Sequence, residues 1–489
     1  SSDLKKCVAP FYFGTTYIQG FRATHWLSGS CTQDYGSFTV YPMNFDNRFR
    51  LMPNQRNTDY LMNNDTLSPA YLTTMFTETG ILSEVTATKR SGFFCFSWID
   101  AVDPTIIFDI NSDEGEGYIK IDTINQEVVG YNPVHRIYAG SGKPAGISGY
   151  FVAKFSQKII KTGIYRGTDF MVGAIEQDKG ENIGGYVTFT TKSDAVILMK
   201  IGTSFTSIEN ARKNLETEIP DWNFNKTKAE LENTWNEFLG KIELVNAPED
   251  DKIKFYTALY HSLIHPRLYS DVNGEYPRFA GNGEIEKAEG FDYYDDFSNW
   301  DIYRAQMPLL SIIAPKVYND MVKSLVVKAE QGGWLPIFPM WNSYTSAMIG
   351  DHSVSILADA AIKGFDFDLE KAYQYMFKNA FETPADSAEY IDGKGRRALP
   401  SYLKYGYIPL EDEVLQAFHK REQVSRTLEY AYDDWAIAQV AKKLNKTDDH
   451  NELMARSQNY RKVFDPQKGW VCGRFADGTF TEDFSATEH

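Results

Sequence analysis

The chain has 489 residues, with 50 Lys and Arg against 66 Asp and Glu, and a formal net charge of −16 at pH 7. This acidic balance excludes a nucleic-acid backbone as partner, because that partner requires a basic face. No apolar run reaches the roughly 18 residues that cross a bilayer, so the sequence predicts a protein that does not span a membrane. Aromatic residues make up 15% of the chain, and this surplus needs a functional explanation.

The first part of the chain, residues 1–205, has the pattern of a β domain. Short aromatic and β-branched runs alternate with Gly, Asn and Asp clusters, which favours strands joined by tight turns. Many short strands without helical patterns between them indicate an antiparallel β-sandwich. The clearest predicted strands are 38–41, 93–99, 105–110, 150–155, 186–191 and 195–201.

The hydrophobic period changes to a helical one near residue 207. We predict a helical linker over 206–250, and then an all-α domain of stacked helical hairpins over 251–489. Between its helices lie aromatic, Gly-rich loops, and such loops tend to build sites rather than cores. The predicted helices are 208–218, 226–242, 251–266, 302–314, 316–330, 353–363, 369–381 and 428–444.

The densest cluster of candidate side chains follows one of these loops. Trp300, Asp301 and Arg304 stand together at a loop-to-helix junction. Sugars offer flat C–H faces and paired hydroxyls, so an aromatic ring beside a carboxylate and a guanidinium suits a sugar. The alternative is structural, with Asp301 as a helix N-cap and Trp300 as a core residue.

A second cluster contains Asp351 and His352, at the start of an apolar helix. A neighbouring carboxylate could raise the pKa of His352. Acidic residues are also common at helix starts, where they complement the helix dipole. The sequence leaves both interpretations open, a ligand-binding pair and a satisfied capping pair.

A third cluster contains Glu429 and Asp433, which are four residues apart on a predicted helix. Two like charges at this spacing are slightly unfavourable. An active-site acid patch would look like this, and so would a solvated helix face. The apolar period predicts a buried face at 428, 431, 435 and 438, and Ser425 is a candidate cap at the start of the helix.

Near the N-terminus, His25 and Trp26 lie in a loop between predicted strands, from which they could reach a neighbouring domain. The four cysteines show no C-x-x-C spacing, and His261 and His265 lack the Glu of an H-E-x-x-H motif. We therefore assign no metal ligand within this chain. P-loop, nucleophile-elbow and G-x-G-x-x-G motifs are also absent from the sequence.

Taken in order, these motifs resemble those of glycoside hydrolase family 92, the calcium-dependent exo-acting α-mannosidases. The resemblance extends over nearly the whole chain, and the motifs follow the order found in that family. The segments that carry it include THWLSGSCTQDYG, FSNWDIYRAQMPLL, QGGWLPIFP, MIGDHS and SRTLEYAYDDWAIA.

The resemblance implies an N-terminal β-sandwich joined to an (α/α)6 barrel. It also implies inverting hydrolysis of terminal α-linked mannose from glycans, assisted by Ca²⁺, in an extracytoplasmic protein. By position, Trp300 and Asp301 would hold the terminal mannose, and His25 and Trp26 would reach in from the sandwich. Arg304, Asp351 and His352 are further candidates for substrate binding, whereas Glu429 and Asp433 are candidates for active-site carboxylates.

The sequence departs from the family at both ends. The Gly-rich opening motif is not found, and the family's general acid, base and main calcium ligands are expected in motifs beyond His489. We therefore expect an incomplete barrel, and no hydrolysis by these 489 residues alone. Two alternatives stay open, a carbohydrate-binding protein without catalysis and an (α/α)6 glycosidase that acts on another sugar.

Overall fold

The structure is a computed structural model that describes residues 17–22, 35–45, 58–59, 66–77, 79–110, 115–136, 138–139, 143–190 and 195–485. His25 and Trp26 lie outside these residues, so their predicted roles are not addressed by the structure.

The N-terminal domain is built from antiparallel strands, as predicted. Its sequence favours strands because aromatic and β-branched residues alternate with small or polar ones, and Ser91–Trp98 shows this by burying Phe94, Phe96 and Trp98 on one face. All six predicted strands overlap observed ones. The strands described are β1 Tyr17–Ile18, β2 Phe21–Arg22, β3 Thr39–Asn44, β4 Thr58–Asp59, β5 Thr66–Ser68, β6 Tyr71–Phe76, β7 Ile81–Ala87, β8 Ser91–Trp98, β9 Pro104–Asp109, β10 Tyr118–Asp122, β11 Glu127–His135, β12 Pro144–Phe155, β13 Lys161–Arg166, β14 Asp169–Val172, β15 Glu176–Asp178, β16 Ile183–Thr188 and β17 Val196–Ser204.

All of these strands except β1 and β4, which pair with each other, form two facing sheets. Within the described residues, one sheet has nine strands in the order β15-β10-β11-β12-β17-β8-β7-β6-β5, and the other has six in the order β14-β13-β16-β9-β3-β2. Phe96, Ile107, Phe151 and Ile164 fill the core between them. Burying such side chains stabilises each by roughly 1.5–3 kcal/mol relative to exposure. The domain is therefore a β-sandwich.

The C-terminal part is helical, and its helix count fits an α/α barrel. Its core contains Leu325, Leu357, Met376 and Ile437 from four successive long helices. The helices described are α1 Ile208–Glu218, α2 Phe224–Leu239, α3 Glu249–Ser262, α4 Asn299–Ile302, α5 Gln306–Ile313, α6 Pro315–Gly332, α7 Ser353–Lys363, α8 Leu369–Phe381, α9 Ser387–Ile391, α10 Leu399–Tyr405, α11 Gln423–Lys443 and α12 Thr447–Arg456.

Short hairpins and one 3-10 helix complete the helical part. They lie in loops between the helices or after the last one. Their bounds are β18 Arg267–Leu268, β19 Glu275–Pro277, β20 Ile285–Lys287, β21 Tyr294–Asp295, β22 Phe464–Asp465, β23 Trp470–Val471 and a 3-10 helix at Ser457–Val463.

Two helix predictions are wrong in detail. The predicted helix 302–314 corresponds to α5 alone and begins four residues later, at Gln306, because the chain turns at residues 303–305 after α4 and places Tyr303 and Arg304 beside α11. Helix α11 begins at Gln423, five residues earlier than predicted, so Ser425 lies inside the helix and does not cap it. Helices α9, α10 and α12 were not predicted.

The segment 206–250, expected as a linker, contains helices α1 and α2, which pack on the outer face of the nine-stranded sheet. Leu215 of α1 and Phe224 of α2 join Phe93 of β8 in one apolar cluster. Arg90, just before β8, pairs with Glu218 of α1 at 2.8 Å. These contacts attach the segment to the sandwich.

Buried polar contacts join the sandwich to the helical domain. The Tyr35 hydroxyl donates to Asp296, and Arg136 pairs with Asp392 at 2.6 Å and donates to the Tyr344 carbonyl at 2.5 Å. Such bonds are directional, so they determine how the loops before α4 and α7 sit against the sandwich. None of the helices in the described ranges is long and apolar enough to cross a membrane.

Candidate functional site

The three clusters found in the sequence meet at one place in the helical domain. Trp300 of α4 donates its indole N–H to Glu429 Oε1 of α11 at 3.2 Å. His352, the residue before α7, lies with Nε2 3.3 Å from Glu429 Oε2. Arg304 also reaches Glu429 Oε1, at 3.1 Å. The sequence suggests each cluster separately, and the structure brings them together around Glu429.

The like charges of Glu429 and Asp433, four residues apart on α11, are compensated by His352, which lies between them. Its Nδ1 lies 3.0 Å from Asp433 Oδ1, while Nε2 faces Glu429. Burial alone would lower the pKa of His352, but Asp433, Glu429 and Asp351 outweigh it and raise the pKa above the usual value. Asp433 is fully buried, so the interpretation of this patch as a solvated helix face is wrong.

The predicted buried face of α11 is also wrong in part. Trp435 is 44% exposed, whereas Asp433 and Asp434 are fully buried. The apolar period points to Trp435 because it counts only hydrophobic side chains. Here, the neighbouring elements supply cations for both aspartates, and this allows their burial.

Asp351 belongs to a buried ion network. Arg396, itself fully buried, lies 3.0 Å from Asp351 and 2.7 Å from Asp434. Arg456 also pairs with Asp434, at 2.9 Å, and Asn379 donates to Asp351 at 3.2 Å. Burial raises the pKa of Asp351 to about 7, although Arg396 opposes the shift.

This network contradicts the interpretation of Asp351 and His352 as a capping pair at the start of α7. The N-cap of α7 is His352, without a side-chain capping bond, and the Asp351 carboxylate is engaged by Asn379 and Arg396. Asp351 has no exposed surface. Its predicted contact with a substrate would therefore require its bonds to Asn379 and Arg396 to break.

Asp301 and Arg304 lie at the exposed edge of the site. Asp301 is not the cap of α4, because Ser298 is the N-cap and Asp301 lies within the helix, where its carboxylate accepts a bond from the Ser298 hydroxyl. The Arg304 guanidinium lies 4.9 Å from the Trp300 ring centroid and 4.7 Å from that of Tyr303. Asp301 and Arg304 are exposed, whereas Trp300 and Tyr303 are half-buried, so together they form an aromatic and charged surface at the edge of the site.

A buried layer beneath α4 supports this surface and was not predicted. Lys328 of α6 pairs with Asp295 of β21 at 2.9 Å, and both side chains are fully buried. The backbone N–H groups of Trp341 and Asn342 donate to Asp296 and Asp295, at 3.1 and 2.7 Å. The loop before α7 is thus bound to the strand before α4.

Gly350 allows the His352 ring to occupy its place. Its φ is +80°, and an added Cβ would overlap the ring. We expect Gly350→Ala to displace the ring from Glu429 and Asp433, and to cost about 1–3 kcal/mol of unfolding free energy. Thermal unfolding and NMR titration of His352 would measure both effects.

Gly364 provides a matched control, since its φ is +81° but an added Cβ meets nothing within 4 Å. Gly364→Ala should cost only the backbone strain, about 1–2 kcal/mol, and should leave the His352 titration unchanged. Equal effects of the two substitutions would show that the close contact with the ring has no consequence.

The described part of the chain holds no group of three or more His, Cys, Asp or Glu side chains arranged to bind a metal ion. Calcium prefers six to eight oxygen ligands. The carboxylates nearest the site are already paired with positively charged or titratable groups: Asp433 with His352, Asp351 with Arg396 and Asp434 with Arg456. These residues therefore do not fit a calcium centre, and none is assigned as a ligand.

Comparison with known proteins identifies the family. The model of the glycosyl hydrolase family 92 catalytic domain matches residues 210–489, and that of the family's N-terminal domain matches residues 2–204. The chain belongs to glycosyl hydrolase family 92.

Solved structures agree with this assignment. A family GH92 α-mannosidase from Bacteroides thetaiotaomicron has a TM-score of 0.86 and 30% identity, over 99% of this chain and 64% of that one. A family GH92 inverting mannosidase from the same species has a TM-score of 0.88 and 26% identity, over 99% and 63%.

One curated relative is an uncharacterized secreted glycosidase from Arthroderma benhamiae. It is 26% identical over 481 residues, which cover 91% of this chain and 56% of that protein. The chain thus spans between about half and two thirds of the length of the proteins it matches.

Proposed function

We propose that this chain forms the sugar-binding part of an exo-acting α-mannosidase that removes terminal mannose from glycans. The observation that carries the proposal is the surface that the half-buried Trp300 forms with the exposed Asp301 and Arg304 in a family 92 fold. Glu429 contacts both Trp300 and Arg304. An aromatic ring suits the C–H surface of a sugar, and the charged groups can accept from or donate to paired hydroxyls. A GH92 α-mannosidase structure in complex with mannoimidazole, 30% identical to this chain, supports mannose as the sugar.

The proposed reaction is hydrolysis with inversion, as in the neighbouring GH92 inverting mannosidase. Such a reaction uses one carboxylic acid to protonate the leaving oxygen and one carboxylate to activate water. The residues described here would bind and orient the terminal sugar. We also propose an extracytoplasmic location, which the secreted relative supports.

Calcium is part of the proposal only through the family resemblance. When bound, it would help to distort the mannose ring toward the transition state. The described residues form no metal-binding group, so no residue of this chain is proposed as a calcium ligand.

The test is hydrolysis of aryl α-glycosides by the protein that carries this chain. We expect release of mannose but not of glucose or galactose, with β-mannose as the first anomer seen by NMR, and loss of activity with a chelator. Faster cleavage of an α-glucoside would contradict the substrate, α-mannose as first product would contradict inversion, and chelator-resistant turnover would contradict the role of calcium.

Asp301→Ala tests the sugar-binding surface. Since the Asp301 carboxylate is exposed and does not cap α4, its removal should cost about 2–4 kcal/mol of transition-state stabilisation with little change in Tm. Steady-state kinetics and thermal unfolding measure the two effects. Unchanged kinetics with a lower Tm would show a structural role.

A further inference from the structure

We infer that Glu429 is a positioning residue and neither the general acid nor the general base: a doubly protonated His352 holds its carboxylate in place, and it orients Trp300 and Arg304 toward the sugar. This inference rests on the proposed function for its substrate, but the arrangement itself stands on the geometry of the site.

The first step concerns the partners of Glu429. Its Oε1 accepts from Trp300 at 3.2 Å and Arg304 at 3.1 Å, and its Oε2 faces His352 at 3.3 Å and the Tyr303 hydroxyl at 3.5 Å. A carboxylate is a pure acceptor, and here donors occupy both of its oxygens. A general acid must carry a proton, and a general base must direct a lone pair at water. Glu429 is arranged for neither task.

The second step concerns the charge of His352. A neutral imidazole has one N–H donor and one acceptor nitrogen, and the acceptor would face a carboxylate unfavourably. Both ring nitrogens lie within 3.3 Å of carboxylate oxygens, and two anionic groups this close favour the positively charged imidazolium by charge attraction. The direction of its pKa shift agrees with this.

The charged and titratable groups around His352 come from three elements. Helix α11 contributes Glu429 and Asp433, and the loop before α7 contributes Asp351. From the turn after α4, the Tyr303 ring stacks on the imidazole at a centroid distance of 4.0 Å and an interplanar angle of 11°. Anionic groups therefore outnumber cations in direct contact with the ring.

The third step concerns the anchor of this chain of contacts. Asp433 is fully buried. Its Oδ2 accepts the Asp351 backbone N–H at 2.6 Å, and its Oδ1 accepts the Ser355 hydroxyl at 3.2 Å. Asp433 cannot move without losing these two hydrogen bonds to the start of α7. It therefore holds the position of His352, and His352 in turn holds the position of Glu429.

The last step concerns what Glu429 orients. Its side chain is 17% exposed, whereas that of Arg304 is 47% exposed and lies over the Trp300 ring. The exposed groups are thus held from behind by a buried relay, Asp433–His352–Glu429. Such support is what keeps a binding site in a single geometry.

Kinetics of Glu429→Gln separate positioning from catalysis. Gln keeps an amide oxygen that can accept from Trp300 and Arg304 but removes the negative charge. We therefore expect KM and the Kd of mannoimidazole to rise about tenfold, since the charge-assisted part of these hydrogen bonds is worth that much. Loss of an acid or base would instead lower kcat by about 10²–10⁴-fold with unchanged Kd. That second result would overturn the inference.

NMR provides a readout that does not require turnover. With ¹⁵N-labelled His and Trp, His352 should carry two N–H groups at pH 6, and the Trp300 indole signal should shift as His352 loses its proton at higher pH. The pKa is raised in the folded protein, so the ordered arrangement should be complete below the usual His range and be lost as pH rises through the higher value. In Glu429→Gln the coupling between the two signals should disappear.

His450 is the internal control: its ring faces the Ala438 carbonyl at 2.9 Å, so its NMR signals should be the same in the two proteins. The inference would be overturned if His352 were neutral at pH 6, or if the Trp300 indole signal did not shift as His352 titrates. Coupled signals in a protein that neither binds nor cleaves mannosides would support the relay and contradict the proposed function.

Discussion

Arg396→Met should lower the free energy of unfolding by about 3–5 kcal/mol, because it removes one partner of a buried ion network. The Arg396 side chain is fully buried between Asp351, at 3.0 Å, and Asp434, at 2.7 Å. Asp434 would keep Arg456, but Asp351 would keep only the Asn379 amide. Urea unfolding of the two proteins measures the difference.

The size of this loss should depend on pH. Burial already raises the pKa of Asp351 to about 7, and loss of the cation should raise it further. A carboxyl with a raised pKa in the folded state contributes most at low pH and loses that contribution as pH rises through the folded value. The deficit of Arg396→Met should therefore be smaller at pH 5.5 than at pH 8.

Two variants serve as controls for Arg396→Met. Lys161→Met breaks an exposed pair with Asp103 and should change stability little, as surface pairs usually do. The double variant Arg396→Met with Asp351→Asn removes the uncompensated charge and should recover part of the loss. A single variant within about 1 kcal/mol of the parent, at all pH values, would contradict the prediction.

Lys328→Met should cost a similar amount, about 3–5 kcal/mol, because it leaves Asp295 charged and buried. The two groups lie 2.9 Å apart without any exposed surface. Burial lowers the pKa of Lys328 to about 8, and Asp295 opposes that shift. The loss should appear in urea unfolding at pH 7.

This substitution should also weaken sugar binding. Asp295 accepts the Asn342 N–H at 2.7 Å and belongs to β21, which directly precedes α4 and Trp300. A shift of this strand would move Trp300, so we expect a raised Kd for mannoimidazole as well as a lower stability. Isothermal titration measures the Kd.

Lys323→Met, in the same helix, is the matched control, because Lys323 pairs with the exposed Asp366 at 3.6 Å. Lys323→Met should change neither the free energy of unfolding nor the Kd of mannoimidazole. Restored stability in Lys328→Met with Asp295→Asn would confirm that the uncompensated charge is the cause. A stable Lys328→Met protein with unchanged affinity would show that the buried pair is dispensable.

The fold follows largely from patterns that are local in the chain. The change from strand period to helical period near residue 207 reflects which face of each element is buried, and α7 and α8 begin and end at the predicted residues. Predictions failed where a tertiary contact interrupts a local pattern. The apolar run 302–314 reads as one helix, but the contacts of Tyr303 and Arg304 with Glu429 accompany a turn within it.

The site was predictable as three separate motifs. Trp300, His352 and Glu429 stand out because their residue types suit sugar binding. Lys328, Arg396 and Arg456 were missed, although the adjacent Asp433 and Asp434 in an apolar helix could have suggested that buried cations lie nearby. Their pairings join residues that are far apart in the chain, and no spacing rule predicts such pairs.

The sequence by itself determined the two-domain order, the family and the residue types of the site, because these depend on periodicity and on motifs that are continuous in the chain. The tertiary structure alone decided the role of each charge on α11. Asp433 faces His352 and Asp434 faces Arg396 and Arg456, though the two aspartates are neighbours. Whether a buried carboxylate is tolerated depends on the cation opposite it, and folding brings that cation from a distant segment.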